Sequence, residues 1–210
     1  MRYRHQLTMW LCLAASAAGA AGLPYDEVAL GRAKVKLPTV GFVVACDENA
    51  HFRANVKAMT PSTADLLTCM VRPDKWKAAQ SGAPTDLTPV IVVTELRPPA
   101  GGAFTAQEFK MMRDKVYAEP AKVSPAAGES FKGFVDTPAP STSFSFLVEG
   151  AGPEPGGAHV KSVSSLYFAG HLLSVMVVDG ATGNDDGYRT RDLTLDWLRA
   201  FQSLNGSVTN

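Results

Sequence analysis

The last third of the chain, Ser162 to Asn205, constrains what the rest can fold into. Two apolar runs, Val163–Phe168 and Leu172–Val178, flank Ala169-Gly170-His171. Apolar runs of this length around a short turn read as the two strands of a β-hairpin. An acidic, glycine-rich loop follows, and then a helical pattern with Leu193, Trp197, Phe201 and Leu204 on one stripe. Both strands are apolar on both faces. Leu166 and Phe168 oppose Val163 and Tyr167, while Leu173, Val175 and Val177 oppose Leu172, Met176 and Val178. A hairpin of this kind needs cover on both sides, so the upstream elements have to pack onto it.

Those elements can be read in order. Lys34–Leu37 is expected to be a short strand and Val40–Cys46 a buried one. Asp47 or Asn49 is placed to cap a helix through Phe52, Val56 and Met59. Asp65–Val71 reads as a strand, Trp76–Pro84 as weakly structured, and Val90–Leu96 as the next strand. Thr105 then opens a helix with Glu108 at its third position, a capping box, and Phe104 can clamp Phe109 as a hydrophobic staple. Phe109, Met112 and Val116 form its apolar stripe, and Pro120 ends it. Ser130–Val135 and Ser143–Val148 are the remaining strands; in the second, serines alternate with Phe144 and Phe146 as in a half-buried strand. Strands cluster without strict alternation with helices. That order predicts an α+β fold, a central and largely antiparallel sheet covered by helices.

Composition narrows the function classes. With 210 residues, 46% of them hydrophobic, the chain can bury one core. Twenty basic residues balance twenty acidic ones, and there is no basic stripe, which argues against a nucleic-acid partner.

The N-terminus reads as a processing segment. Arg2 and Arg4 precede an apolar stretch from Leu7 to Ala18, and Ala18-Gly19-Ala20 supplies the small residues of a cleavage site. A cleaved secretory signal over residues 1–20 is expected, followed by one domain over 21–210 and no membrane span. Cleavage leaves eighteen basic against twenty acidic residues, near −2. It also leaves two cysteines, Cys46 and Cys69. In an oxidising compartment, periplasmic or extracellular, such a pair is expected to form a disulfide; two buried thiols are the alternative.

Several of these features occur together in a known layout. The strands Ser164–Phe168 and Leu172–Val178, the Asp-containing loop, the Trp197 helix ending in Asn205, and Glu95-Leu96-Arg97 ahead of the Glu108-Phe109 helix resemble a group of small exported bacterial proteins of unknown function. The whole resembles the PsbP-like α/β/α sandwich. The resemblance implies a non-catalytic accessory or interaction role and transfers no functional residue.

No catalytic motif stands out. The chain lacks a G-x-S-x-G elbow, an S-x-x-K and an H-E-x-x-H. His51, His159 and His171 remain after cleavage; no catalytic partner is visible for His171, and His51 could bind a metal with Asp47 and Glu48. His51 beside Asp47 and Glu48 is more simply a helix start, where acids gather for dipole reasons. Asp179 to Gly187 offers oxygen ligands for Ca²⁺ through Asp179, Asp185 and Asp186. Thr190, however, stands where an EF-hand has its bidentate Glu, and a polar loop capping the coming helix explains the same residues. Arg189 and Arg191 are expected to pair with nearby acids. Trp76, Trp197, Phe144 and Phe146 are expected in the core rather than in a ligand cage.

The expectation is therefore an exported accessory domain without catalysis, metal or cofactor, binding an unidentified protein partner. The alternative is a periplasmic small-molecule binder or hydrolase with a site near His171 or His159. It requires a pocket that joins one of those histidines to a carboxylate.

Overall fold

The structure, a computed structural model, describes residues 22–98, 102–120, 128–151, 158–181 and 186–206. The expected signal segment lies outside these. Among the described residues no helix is long and apolar enough to cross a membrane.

The expected C-terminal unit is present. Strands β8 (Ala158–Phe168) and β9 (His171–Ala181) pair from Phe168↔His171 to Ala158↔Ala181. Ala169 and Gly170 form the two-residue turn, with φ of 49° and 85°. Positive φ at both central residues matches the twist of a hairpin, which is why Gly170 suits the second position. Helix α5 (Asp186–Asn205) follows.

Around this hairpin the chain builds a seven-stranded sheet in the order β3-β4-β5-β9-β8-β7-β6, antiparallel at every pairing. Its other members are β3 (Val43–Val44), β4 (Ala64–Val71), β5 (Val90–Leu96), β6 (Glu129–Val135) and β7 (Ser143–Ala151). The fold is α+β, with a large antiparallel sheet flanked by helices.

Two layers cover the sheet. On one face α5 lies over the central hairpin, beside a separate ribbon of β1 (Tyr25–Leu30) and β2 (Ala33–Pro38). Leu30, Val35, Leu37, Ile91, Val93, Leu173, Val175, Trp197 and Phe201 form the largest buried cluster there. On the other face sit α1 (Ala45–Glu48), α2 (Ala50–Met59), α3 (Pro73–Gln80) and α4 (Ala106–Ala118).

Local chemistry explains where each helix starts. Thr105 accepts from the Glu108 N–H at 3.1 Å, and Glu108 accepts from the Thr105 N–H at 2.8 Å, completing the capping box. Phe104 packs in the cluster that buries Phe109, as the staple requires. Thr105→Ala should cost about 1 kcal/mol in urea unfolding. The Thr105 backbone amide, and next its hydroxyl, hold the Glu108 carboxyl below its ordinary range. Folding therefore favours the ionised form. Its contribution is present above the ordinary carboxyl pKa and is lost as pH falls through the depressed folded value. Hydrogen-exchange protection factors at the start of α4, corrected for the intrinsic pH dependence of exchange, should fall on acidification, and Glu108→Gln should remove that fall.

Four local expectations are corrected. Val40–Cys46 is not one strand. Gly41 (φ 74°) turns the chain so that the Phe42 N–H donates to Thr39 O at 3.0 Å, leaving Val43–Val44 as strand. Ala45 then starts a helical turn that sets Cys46 against β4, and Asn49 caps α2 by accepting from the Phe52 N–H. Met59, expected on the buried stripe of α2, is 78% exposed. Trp76 lies on a helix rather than in a weakly structured stretch. Pro73 at its first turn pre-sets the backbone, and the buried indole donates to Glu48 and meets Phe52 with ring centroids 5.3 Å apart. Finally, the serine side of β7 is buried as fully as the phenylalanine side. Ser145 Oγ donates to Ser164 Oγ at 2.6 Å, Ser162 bonds Thr194, and Thr194 Oγ1 donates to Thr190 O at 2.7 Å. Small hydroxyl residues let α5 approach the sheet while every named hydroxyl finds a partner.

Cys46 and Cys69 lie at disulfide distance, their Cα atoms 5.2 Å apart.

Candidate interaction surface

The sheet ends at β6, and the features of that edge begin with one glycine. Phe131 and Phe134 are three residues apart, a spacing that sends side chains to opposite faces of a regular strand. The register slips between Phe131 and Gly133, so Phe131 pairs with Val148 and Phe134 with Phe146. Val148 and Phe146 share a face, and the bulge therefore puts both phenylalanines on it. Gly133 supplies the required backbone at φ 146°.

An aromatic bank results. The Phe131 and Phe134 rings meet edge-on at 5.1 Å, Tyr117 of α4 sits 4.4 Å from Phe134, and Phe146 is 6.4 Å from Phe131. The chain of rings continues inward through Phe144 to the buried Phe109. Arg113, one turn before Tyr117, donates to the Pro140 carbonyl and ties α4 to the turn ahead of β7. Tyr117 is 41% exposed, and Phe131, Phe134 and Phe146 are half-buried. Burial pushes the Tyr117 phenol up from its ordinary pKa. Among the described residues no strand pairs with the outer side of β6.

Both candidate histidines have a carboxylate neighbour. His171 Nδ1 lies 2.6 Å from Glu95 Oε1, next to the central turn. His159 Nε2 lies 3.4 Å from Glu129 Oε1, which also accepts from Lys161 Nζ at 2.6 Å. That cluster needs Gly150 beneath it: a Cβ there would come within 2.8 Å of Glu129 Cγ and 3.0 Å of His159 Cε1. The two histidines belong to opposite ends of the β8–β9 hairpin, about 30 Å apart at strand rise. Neither lines the cleft between Tyr167 and Phe201 or the cleft between Arg72 and Asp192. His51 lies exposed in the first turn of α2.

Of the acidic loop, Asp179 is buried and accepts from Arg189 Nε at 2.6 Å. Asp186 is the first residue of α5, with only its backbone described, and Asp185 lies outside the described residues. Among the described residues no three His, Cys, Asp or Glu side chains gather as a metal site. The Nε of Arg191, expected to pair with an acid, is buried without a hydrogen-bond partner.

Phe146 was expected in the core and lies instead on the half-open bank, because the sheet ends one strand further on. The bank itself carried one sequence signal, Gly133 inside a strand, which marks a bulge.

No protein-family profile matches the chain, and no curated protein does. Similar solved structures include two Mog1 proteins. The Ran-binding protein Mog1p of Saccharomyces cerevisiae superposes with a TM-score of 0.41 at 12% identity, over 87% of this chain and 94% of that one. A point mutant of protein Mog1 superposes with a TM-score of 0.42 at 14% identity, over 87% and 95%. At those scores nothing is carried over from them to this chain.

Proposed function

We propose that this chain is an exported interaction domain that holds a protein partner against the Tyr117, Phe131 and Phe134 bank. The bank is the observation that carries the reading. Half-buried aromatic rings gathered beside a strand edge that has no partner among the described residues offer a rigid apolar surface, and aromatic side chains dominate binding energy at protein interfaces. The continuous ring packing back to Phe109 fixes that surface before a partner arrives, so little side-chain entropy is lost on docking. The role needs no catalytic group.

Export, to the periplasm or beyond the cell, is supported by the Arg2/Arg4 and Leu7–Ala18 segment and by two cysteines at disulfide distance. The PsbP-like layout belongs to the same proposal and is supported by the order of strands and helices around the central hairpin.

The bank can be tested by gel filtration of extracts from the native host. The parent chain should elute in a complex larger than itself. Tyr117→Ala with Phe134→Asp should elute as the free chain while melting within about 1–2 kcal/mol of the parent, because these side chains lie at the margin of the core. Elution of the parent as a free chain, or survival of the complex in the double variant, contradicts the reading.

A further inference from the structure

A second surface lies at the other end of the sheet, away from the aromatic bank, and its argument does not depend on the bank. The start of α3, the loop before β5, the end of β9 and the first turns of α5 line an open cleft of about 890 Å³. That volume falls in the range of small-molecule sites.

The charges lining the cleft separate into used and unused. Asp179 is buried against Arg189, and Asp196 pairs with Arg199 at 3.0 Å. Four charges remain. Arg72 and Lys75 stand on the α3 side, Asp192 on the α5 side, and Asp86 on the loop before β5. None of the four has an ion-pair partner among the described residues.

Two of these groups are held in place. The Arg72 guanidinium lies over the Phe42 ring, 5.6 Å from its centroid. Beside it the chain has no Cβ at Gly41, where one would stand 3.2 Å from Arg72 Nη1. Asp86 accepts from the Thr88 N–H at 2.9 Å and from the Thr88 hydroxyl at 2.7 Å. The loop presses onto Gly180, where a Cβ would be 2.9 Å from Thr88 Oγ1. Leu193 adds an apolar patch to the wall.

We infer that the cleft binds a small zwitterionic solute of the amino-acid or short-peptide class. Its carboxylate meets Arg72 and Lys75, and its ammonium meets Asp86 and Asp192. Two unpaired cations facing two unpaired acids leave no net charge to attract a simple anion or cation. They match a ligand carrying both signs. Arginine presents a planar fork suited to a carboxylate, and its stacking on Phe42 limits the freedom lost on binding.

The test is amide chemical-shift titration of the domain with L-alanyl-L-alanine, with acetate and methylammonium as single-charge controls. The dipeptide should give saturable shifts at Thr88, Gly180 and Leu193, and neither control should. Arg72→Gln and Asp192→Asn, both exposed and melting like the parent, should each weaken binding about tenfold, the loss of one charged contact. The bank variant Tyr117→Ala with Phe134→Asp should bind the dipeptide like the parent. Absence of saturable shifts at about 10 mM dipeptide, beyond even a millimolar dissociation constant, overturns the inference. So does acetate reproducing the dipeptide shifts, which would make the cleft a plain anion site.

Discussion

Trp197→Ala should destabilise the domain by about 3–5 kcal/mol, a large part of what a single domain has to spare. The indole is 5% exposed at the centre of the largest buried cluster. It stacks on Phe201 with centroids 5.5 Å apart and planes at 20°, and its Nε1 donates to the Pro38 carbonyl at 3.0 Å. Truncation opens a cavity and leaves that carbonyl, at the end of β2, without its donor. The ribbon has a second tether: Asn205 donates to Lys36 O at 2.8 Å and accepts from the Lys36 N–H at 2.9 Å. Loss of Trp197 should therefore loosen the ribbon at the Pro38 end first, which hydrogen exchange along β2 will show. A variant that melts like the parent would remove α5 from the centre of the fold.

Reduction of the Cys46–Cys69 pair should cost about 3 kcal/mol, the chain-entropy value for a loop of this size. The two residues are 23 apart in sequence and buried in one cluster with Val56, Leu66 and Val92. A bridge there restricts the unfolded chain over α1, α2 and the start of β4. The urea midpoint should fall on adding reductant, and Cys46→Ala with Cys69→Ala should fall to a similar value and respond to reductant no further. An unchanged midpoint under reductant would mean that the pair is two packed thiols, and the compartment argument would lose its support in the structure.

How much the sequence revealed depended on how local each signal was. The capping box and staple of α4 lie within six residues, Phe104 to Phe109, and formed as read. Val90–Leu96 and the central hairpin were legible because long β-branched and aliphatic runs leave few alternatives. The helix carrying Trp76 was not. One large apolar residue in Pro73–Gln80 gives no period, and burial comes from Phe52 and Glu48, far away in sequence. The Tyr25–Leu30 strand was missed because only one face of its ribbon is buried. Ser145, Ser162 and Ser164 look like solvent-facing positions until α5 closes over them and pairs Ser162 with Thr194. The aromatic bank depends on a one-residue register slip, and residue spacing alone assigns Phe131 and Phe134 to opposite faces. The zwitterion cleft draws on four separate segments, so no single stretch announces it.

The interaction reading can be tested most directly by site-specific photo-crosslinking in the native host. A photoreactive amino acid placed at Tyr117 or Phe134 samples the bank, and one at Met59, more open to solvent than either but on α2, is the control. The account predicts a discrete crosslinked protein partner from positions 117 and 134 and none from position 59. No adduct at the bank, or the same adducts from all three positions, would contradict it.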